Sequence, residues 1–289
     1  MSEIITLIIV VLLICMLWVM LYDSNRFVVR NLKLQDQKIK RNAKAVLIAD
    51  LHNKKYGKDN WMLLDAIRKE KPDFILVAGD LLVAKPGKSP QTAVDFLGEL
   101  SKDYPIFYGN GNHEHRLRIY PETYGDMADV YEDKLNGIGI RPLVNQSRLL
   151  EKYGICVYGA QIDKEYYKRF RVMNMGENYM DELLGKCDKG NYNVLLAHNP
   201  DYFPRYAQWG ADFVCAGHVH GGVVRVPIWG KGMLSPGIRL FPKYDGGVFR
   251  EKNSVMLLSR GLGSHTIPFR LFNPGELWVV EFEHQDKDK

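Results

Sequence analysis

The feature that most constrains this chain is an 18-residue run without a charge, residues 4–21. As a helix the run would be about 27 Å long, close to the ~30 Å thickness of the hydrocarbon core of a membrane. It therefore predicts one membrane-spanning helix, with Trp18 and Tyr22 suited to the interface at its C-terminal end. A cleaved signal peptide is the alternative. However, the first three residues carry no Lys or Arg, and no small-x-small cleavage site follows Leu21.

The positive charge of the chain is concentrated directly after this run. The formal net charge is +5, and residues 23–44 alone hold seven basic and two acidic side chains. The rest of the chain is nearly neutral, which argues against a broad basic face that binds nucleic acid. Because only Glu3 precedes the apolar run, the charge asymmetry favours a folded part in the cytoplasm. Contact of this basic segment with anionic lipid headgroups is a compatible second role.

The remaining sequence alternates between apolar runs and helical patterns. Apolar runs at residues 45–49, 74–78 and 106–108 are separated by expected helices at about 59–69 and 90–101, which predicts βαβ units with a parallel core. Residues 122–136 are expected to form one helix and residues 148–160 a hairpin. After residue 222 the chain becomes strand and turn, so we expect two packed sheets flanked by helices. The expected organisation is an anchor (1–22), a basic juxtamembrane linker (23–44) and one catalytic domain (45–289).

Polar clusters follow five of the apolar runs, where open α/β sheets place their functional sites. The five clusters are Asp50-Leu51-His52, Gly79-Asp80, Gly111-Asn112-His113-Glu114, His198-Asn199 and Gly217-His218-Val219-His220-Gly221-Gly222. Seven of their side chains are nitrogen or oxygen donors suited to metal, and no thiolate is near them in sequence: Asp50, His52, Asp80, Asn112, His198, His218 and His220. This set would serve two divalent ions that share one bridging carboxylate.

The chemistry that fits such a site is hydrolysis of a phosphate ester. Two cations lower the pKa of a shared water and neutralise the charge that develops on a phosphoryl group. In Asp50-x-His52 and His218-x-His220, the spacing of two places both side chains on one face if the backbone is extended. The mixed donor set admits manganese, which we expect, or iron or zinc.

In their order, the motifs DLH, GD, GNHE, the lone His198 and GHVHGG resemble those of the calcineurin-like metallophosphoesterase superfamily. The resemblance covers about residues 45–283. The tail SRGLGSHTIPFRLFNPGEL, residues 259–277, is similar to that of the bacterial membrane-anchored subgroup. The resemblance implies a four-layer sandwich of two mixed β-sheets flanked by helices, here preceded by one transmembrane helix.

The resemblance also implies a role for each residue. One metal would be held by Asp50, His52 and His220, the other by Asn112, His198 and His218, with Asp80 as the bridge. His113 would contact the phosphate without binding metal and help protonate the leaving oxygen, after in-line attack by a metal-bridging hydroxide. Glu114 would orient its neighbours. In the tail, His265 and Arg270 are candidates for contact with substrate.

The expected function is therefore that of a membrane-anchored phosphoesterase with two metals. Its substrate would contain a phosphodiester or pyrophosphate bond and be lipid-linked or a nucleotide–lipid, as for the related UDP-2,3-diacylglucosamine hydrolases. Asp80 is followed by Leu81, Leu82 and Val83, unlike the Asp and Arg of the Ser/Thr phosphatase branch, which argues against a phosphoprotein. The alternatives are a general phosphodiesterase on soluble nucleotides or other phosphate esters, and a non-catalytic scaffold.

One aromatic segment lies outside these motifs. Tyr166, Tyr167 and Phe170 alternate with basic residues, a pattern that fits a mobile solvated loop or a lid over a lipid headgroup.

Overall fold

The computed structural model describes residues 2–222, 224–227, 229–235, 239–264 and 269–286. The helices within these ranges are α1 (Ser2–Ser24), α2 (Trp61–Glu70), α3 (Gln91–Ser101), α4 (Asn112–Ile119), α5 (Pro121–Tyr124), α6 (Met127–Gly137), α7 (Tyr179–Leu184) and α8 (Phe203–Trp209). The strands are β1 (Phe27–Asp36), β2 (Ala43–Ile48), β3 (Phe74–Val77), β4 (Ile106–Tyr108), β5 (Gln146–Leu150), β6 (Ile155–Ala160), β7 (Tyr192–Ala197), β8 (Phe213–Ala216), β9 (Arg225–Val226), β10 (Lys231–Gly232), β11 (Gly247–Glu251), β12 (Ser254–Leu258) and β13 (Gly275–His284).

Most strands form two mixed sheets. The first sheet has the order β1-β13-β2-β3-β4, in which β2, β3 and β4 are parallel and β13 runs antiparallel to β2. The second has the order β11-β12-β8-β7-β6-β5, with β12, β8, β7 and β6 parallel and an antiparallel strand at each edge. The parallel cores follow from the strand–helix alternation of the sequence, as predicted.

The core shows why these sheets stack. Along β2, Ala45 and Leu47 face the second sheet and pack in one cluster with residues of β7 and β8, whereas Val46 and Ile48 face the helices α2 and α3. Both faces of the strand are buried, which is why it reads as a continuous apolar run. On the far side, α7 and α8 cover the second sheet. The four-layer sandwich of two mixed sheets flanked by helices is thus confirmed.

The basic segment after α1 differs from the expected linker. Residues 27–36 form β1, which pairs in parallel with β13 over its whole length and is therefore part of the first sheet. Several of its charges are paired with acids of the domain: Arg30 with Glu276 at 2.5 Å and Lys33 with Glu283 at 2.7 Å. Because these side chains have protein partners, the local positive charge is smaller at the surface than the sequence suggests.

The middle of the chain agrees with the expectations in part. The expected hairpin is present as β5 and β6, with Gly154 at positive φ beside its turn. The single helix expected at residues 122–136 is two helices, α5 and α6. Gly125 caps α5 at a φ of 59°, which an α-helix cannot continue through. The segment that follows Gly111 forms α4, a helix that the sequence pattern did not indicate.

The apolar run forms α1, a helix of 23 residues that is long and apolar enough to cross a membrane and is not buried against the rest of the protein. It ends at Ser24, and β1 begins three residues later. Near the C-terminal end of α1, Asp23 is buried, and its carboxylate lies inside the domain. The helix is thus joined to the sheet without an intervening flexible linker.

Candidate metal centre

The five polar clusters meet at the carboxyl ends of five neighbouring strands. Asp50 and His52 follow β2, Asp80 follows β3, and the Asn112 cluster follows β4. His198 follows β7, and the His218 cluster follows β8 in the second sheet. Backbone bonds tie the clusters to each other: the Asp50 amide donates to Gly79 at 3.0 Å, and the Gly217 amide donates to His198 at 3.0 Å. Across the two sheets, the His218 amide donates to Asp50 Oδ2 at 3.0 Å, so the edges of both sheets form one site.

Two buried carboxylates lie at the centre. Asp50 Oδ1 is 3.7 Å from His52 Nε2 and 3.4 Å from His220 Nε2, and Asp80 Oδ2 is 3.1 Å from His198 Nε2 and 3.8 Å from His52 Nε2. In three groups of three, all donor atoms lie within 4.8 Å of one another: Asp50, His52 and His220; Asp80, His198 and His218; and His52, Asp80 and His113. Such distances suit two cations with Asp80 beside both.

The backbone reaches this arrangement through left-handed turns. Five donor residues have positive φ angles, at 50°, 49°, 56°, 73° and 54° for Asp50, His52, Asp80, His218 and His220. This region is uncommon for residues other than Gly, and its occupation at adjacent functional positions is typical of sites where strain is tolerated for geometry. The side chains of Asp50 and His52 therefore converge through turns after the strand, not along an extended strand.

Three histidines are held by the backbone through their Nδ1 atoms. His52 Nδ1 lies 3.2 Å from the Leu82 carbonyl, His198 Nδ1 2.6 Å from Ala78, and His220 Nδ1 3.1 Å from Gly263. A carbonyl can only accept, so each Nδ1 carries a proton, and Nε2 is the nitrogen that each ring can present to a metal. His52 Nε2 and His220 Nε2 lie 3.1 Å apart. Two lone pairs at this distance repel each other unless both bind the same cation. The positions of the two rings therefore fit a metal site.

Charge favours a cation as well. Burial alone would raise the pKa of Asp50, but His220, His52 and His198 together hold it below its usual range. Burial would lower the pKa of His198, yet Asp80 and Asp50 raise it to about 10. The pKa of His218 falls to about 3 because of burial and the nearby His198. Two ionised carboxylates in a buried site are stabilised by a nearby positive charge. A bound metal would supply that charge and displace the proton from His198.

Asn112 and Glu114 complete the β4 end of the site. Asn112 Oδ1 is buried without a hydrogen-bond partner among the described residues, as expected of an amide oxygen that would bind a cation. The carboxylate of Glu114 accepts the amides of Asp80, Leu81 and Gly111 and the hydroxyl of Tyr108 at 2.8–2.9 Å. Burial and the charge of Asp80 raise the pKa of Glu114, while these donors favour its ionised form. Glu114 therefore joins the loop of Asp80 to the loop of Asn112.

His113 has a different environment from the other histidines. Its Nδ1 accepts the amide of Ala84 at 2.9 Å, so the proton of the neutral ring is on Nε2. That Nε2 lies 4.0 Å from Asp80 Oδ2, and the ring meets the His52 ring edge-on with centroids 4.9 Å apart. The ring thus directs an N–H, and not a lone pair, towards the centre. In this form the neutral ring can donate a hydrogen bond to a group bound at the centre.

Glycines allow the close packing around both carboxylates. A Cβ on Gly217 would lie 2.4 Å from Asp50 Oδ2, and a Cβ on Gly111 would lie 2.2 Å from Asp80 Oδ1. Neither distance is possible for a real side chain. The glycines of the GNHE and GHVHGG motifs are therefore explained by the space that the two carboxylates occupy.

The two tail candidates for contact with substrate differ in what the structure shows of them. His265 lies outside the described residues. Arg270 is 3% exposed, and its guanidinium donates to the backbone carbonyls of Arg260, Gly261 and Gly263. Because Gly263 also accepts from His220, Arg270 supports the metal site from behind. A contact between Arg270 and substrate remains an untested prediction.

Two contributors were missed by the sequence reasoning or left open by it. The Tyr167 ring meets the His218 ring edge-on at 5.2 Å, so part of the aromatic segment packs on the centre. Phe170 of the same segment is exposed. Asn273 is fully buried and donates from Nδ2 to the His220 carbonyl at 2.7 Å. Asn273 belongs to the tail sequence of residues 259–277, and no local sequence pattern indicates its contact with His220.

Comparison with known proteins agrees with this geometry. Residues 43–222 match the family model described as calcineurin-like phosphoesterase. The uncharacterized protein YpbG of Bacillus subtilis (strain 168) is 25% identical over 81% of this chain and 78% of its own length. The phosphodiesterase YaeI of Escherichia coli (strain K12) is 25% identical over 76% of this chain and 75% of its own length. The UDP-2,3-diacylglucosamine pyrophosphatase LpxG of Chlamydia muridarum (strain MoPn / Nigg) is 20% identical over 81% of this chain and 82% of its own.

The family match covers more than half of the chain and includes all seven donor residues of the centre. The resemblance that the motifs suggested is therefore confirmed. With its buried His and Asp cluster and its family match, the chain belongs to the calcineurin-like phosphoesterase family and is a metal-dependent phosphoester hydrolase.

Proposed function

We propose that this enzyme uses two divalent metal ions to hydrolyse a phosphodiester or pyrophosphate bond in a lipid-linked substrate, while anchored in a membrane by α1. The observation that carries the proposal is the convergence of two buried carboxylates and their histidines on one point at the carboxyl edges of both sheets. The anchor and the names of two relatives support the substrate class.

The donor groups would divide between two ions as the motif resemblance implies. Asp50, His52 and His220 would hold one ion, and their donor atoms already lie within 4.8 Å of one another. His198, His218 and Asn112 would hold the other, with Asp80 as the shared carboxylate. Two bound divalent ions supply a water of low pKa and neutralise developing negative charge on a phosphoryl group. Manganese is our expectation for the native metal, because oxygen donors from Asp and Asn accompany the imidazoles.

Residues of the chain would then position the substrate and move a proton. His113 directs its Nε2–H towards the centre, so it can donate a hydrogen bond to a phosphoryl oxygen. To protonate the leaving oxygen, the ring would first take up a second proton at Nδ1 in place of the bond from Ala84, and would then give up the proton on Nε2. Asn112, adjacent to it, would orient the same phosphate through its side-chain amide. Glu114 accepts the backbone amides of Asp80 and Gly111 and thereby holds His113 and Asn112 in place next to Asp80. Catalysis in this account depends on positioning and electrostatics.

The substrate class follows from the anchor. A helix that holds the domain at a bilayer raises its effective concentration towards lipid phosphates and lowers it towards metabolites in bulk water. LpxG is named for a pyrophosphatase activity on a diacylated nucleotide sugar, and YaeI is named a phosphodiesterase. We propose a cytoplasmic location for the domain, because the basic residues of the chain follow the helix and only Glu3 precedes it.

The experiment is a substrate screen with the full chain in detergent, loaded with manganese. It compares detergent-dispersed lipid pyrophosphates and phospholipids with water-soluble diesters such as bis(4-nitrophenyl) phosphate. Preference for the lipid substrates supports the proposal. Preference for soluble diesters would favour the general phosphodiesterase, with α1 serving only localisation. Labelling of an introduced cysteine near residue 41 from outside intact cells would contradict the cytoplasmic orientation.

A further inference from the structure

We propose that the face of the domain around the end of α1 rests on the bilayer, and that an apolar loop next to the metal centre inserts among the lipid headgroups there. The apolar loop comprises the described residues between 224 and 241 together with Phe272. The proposal rests on the membrane anchoring proposed above. It extends that role by assigning a second membrane contact beside the metal centre.

The end of α1 is fixed to the domain. Asp23, 3% exposed, accepts the backbone amide of Asn273 at 3.0 Å and the Arg26 side chain at 3.0 Å. The hydroxyl of Ser24 accepts the amide of Arg270 at 2.9 Å. If α1 lies in a bilayer, the surface around Asp23 therefore lies at the level of the headgroups, because no free linker separates the two.

Residues at the end of α1 are connected to the metal centre on two sides. Asn273, held by Asp23, donates from its side chain to the His220 carbonyl at 2.7 Å. On the other side, Lys54 donates to Asn25 Oδ1 at 2.8 Å and is two residues from the candidate ligand His52. The centre is thus separated from the end of the helix by one or two side chains.

The apolar loop emerges beside this junction. The Arg225 amide donates to the Leu271 carbonyl, the Met233 amide to Val224 and the Phe241 amide to Met233, so these segments lie side by side. A buried Arg225–Asp245 pair at 3.4 Å fixes the base of the loop, and Arg225 also donates to the carbonyl of Gly221, the residue after His220. The loop is therefore joined to both the centre and the tail segment that holds α1.

Large apolar side chains of this loop are exposed. Trp229 is 72% exposed, Leu240 70% and Phe241 57%, and they are accompanied by Met233 and Phe272. A soluble protein rarely exposes a group of large apolar side chains on one loop unless another molecule or a membrane covers them. Exposed lysines of the loop and its flank accompany them, Lys231 and Lys243.

A bilayer fits this surface better than a protein partner. The surface continues directly from α1, whose last turn stacks Trp18 on Tyr22 and places Arg26 over the Tyr22 ring. Aromatic rings with neighbouring basic groups are the composition that membrane interfaces favour, and lysines complement anionic headgroups. Exposed Trp61 and the lysines Lys55 and Lys58 have the same composition, and they follow Lys54, which contacts Asn25 after the end of α1.

The test measures depth in a bilayer with nitroxide labels. The full chain, with Cys15→Ser and Cys187→Ser to remove the accessible thiols, is placed one copy per nanodisc of phosphatidylethanolamine and phosphatidylglycerol. A label at Leu240→Cys reports on the apolar loop. A label at Leu149→Cys is the matched control, since Leu149 is a 49% exposed leucine on the edge strand β5. A label at Leu12→Cys reports on α1.

We expect the label at residue 240 to collide often with oxygen and rarely with a water-soluble nickel complex, like the label at 12, while the label at 149 collides freely with nickel. If residue 12 lies in lipid but residue 240 is as accessible to nickel as residue 149, the docking surface is refuted and the anchor stands. If residue 12 is itself in water, the anchoring in the proposed function fails. Protection of residue 240 only in discs that hold two chains would assign the surface to a second copy and overturn the proposal.

Discussion

Glu114→Gln tests how the centre is held together, because one buried carboxylate joins the loops of Asp80 and Asn112. The native side chain accepts four donors, three backbone amides and the Tyr108 hydroxyl. A glutamine has one accepting oxygen, and its NH2 group would face the remaining donors. In the better orientation the NH2 replaces Oε1. Tyr108 can then rotate its hydroxyl and accept, but the Leu81 amide is left facing a donor.

The cost follows from these contacts. One charge-assisted hydrogen bond is lost, one buried amide is left unsatisfied, and the bonds that survive become neutral. Charge-assisted bonds contribute about 1.5–3 kcal/mol and an unsatisfied buried group costs about 1–3 kcal/mol, so we expect a loss of about 3–5 kcal/mol. For a domain of this size that lowers Tm by about 6–20 °C. Turnover should fall too, because Asp80 and Asn112 lose their common support.

The assay is thermal unfolding of the full chain in detergent, followed by circular dichroism, with turnover of bis(4-nitrophenyl) phosphate measured on the same sample. Glu99→Gln is the control, since Glu99 is an exposed glutamate of α3. The control should behave as the native chain. A Glu114→Gln variant with native Tm and native turnover would refute the role assigned to this carboxylate.

Three further substitutions probe separate parts of the account. His113→Ala should keep both metals and slow hydrolysis most for esters with poor leaving groups; fewer metals by elemental analysis would contradict the prediction that His113 does not bind metal. Gly217→Ala should displace Asp50 and lower metal content, whereas Gly137→Ala, where a Cβ meets nothing within 4 Å, should not. Asp23→Ala leaves the buried Asn273 amide without its acceptor, so we expect a stability loss of about 1–3 kcal/mol. Unchanged thermal unfolding of that variant would show that the end of α1 does not brace the tail.

The sequence was most informative where structure is local. β4 was predicted with its observed bounds, and β3 to within one residue. These strands are apolar on both faces, so their pattern survives without knowledge of any partner. The candidate ligands could be found because the carboxyl ends of parallel strands meet at one edge. Motifs separated by more than a hundred residues are thereby brought together.

The sequence was least informative where structure depends on distant partners. β1 alternates between inward and outward residues, but its many charges concealed this, and its partner β13 is some 250 residues away along the chain. The acids that neutralise Arg30 and Lys33 lie on that same distant strand. Asn273 supports His220 through a side-chain contact that no local pattern encodes. The left-handed turns at the donor residues are likewise set by the packing around them, since none of these residues is glycine.

We expect two metal ions to share the carboxylate of Asp80. Metal content per chain, measured by elemental analysis on full-length protein after loading with manganese and removal of free metal, tests it most directly. We predict about two ions per native chain. Asp80→Ala, with a native circular dichroism spectrum, should hold at most one ion and have almost no activity. A single ion in the native chain, or two ions with full activity in the Asp80→Ala variant, would contradict the account.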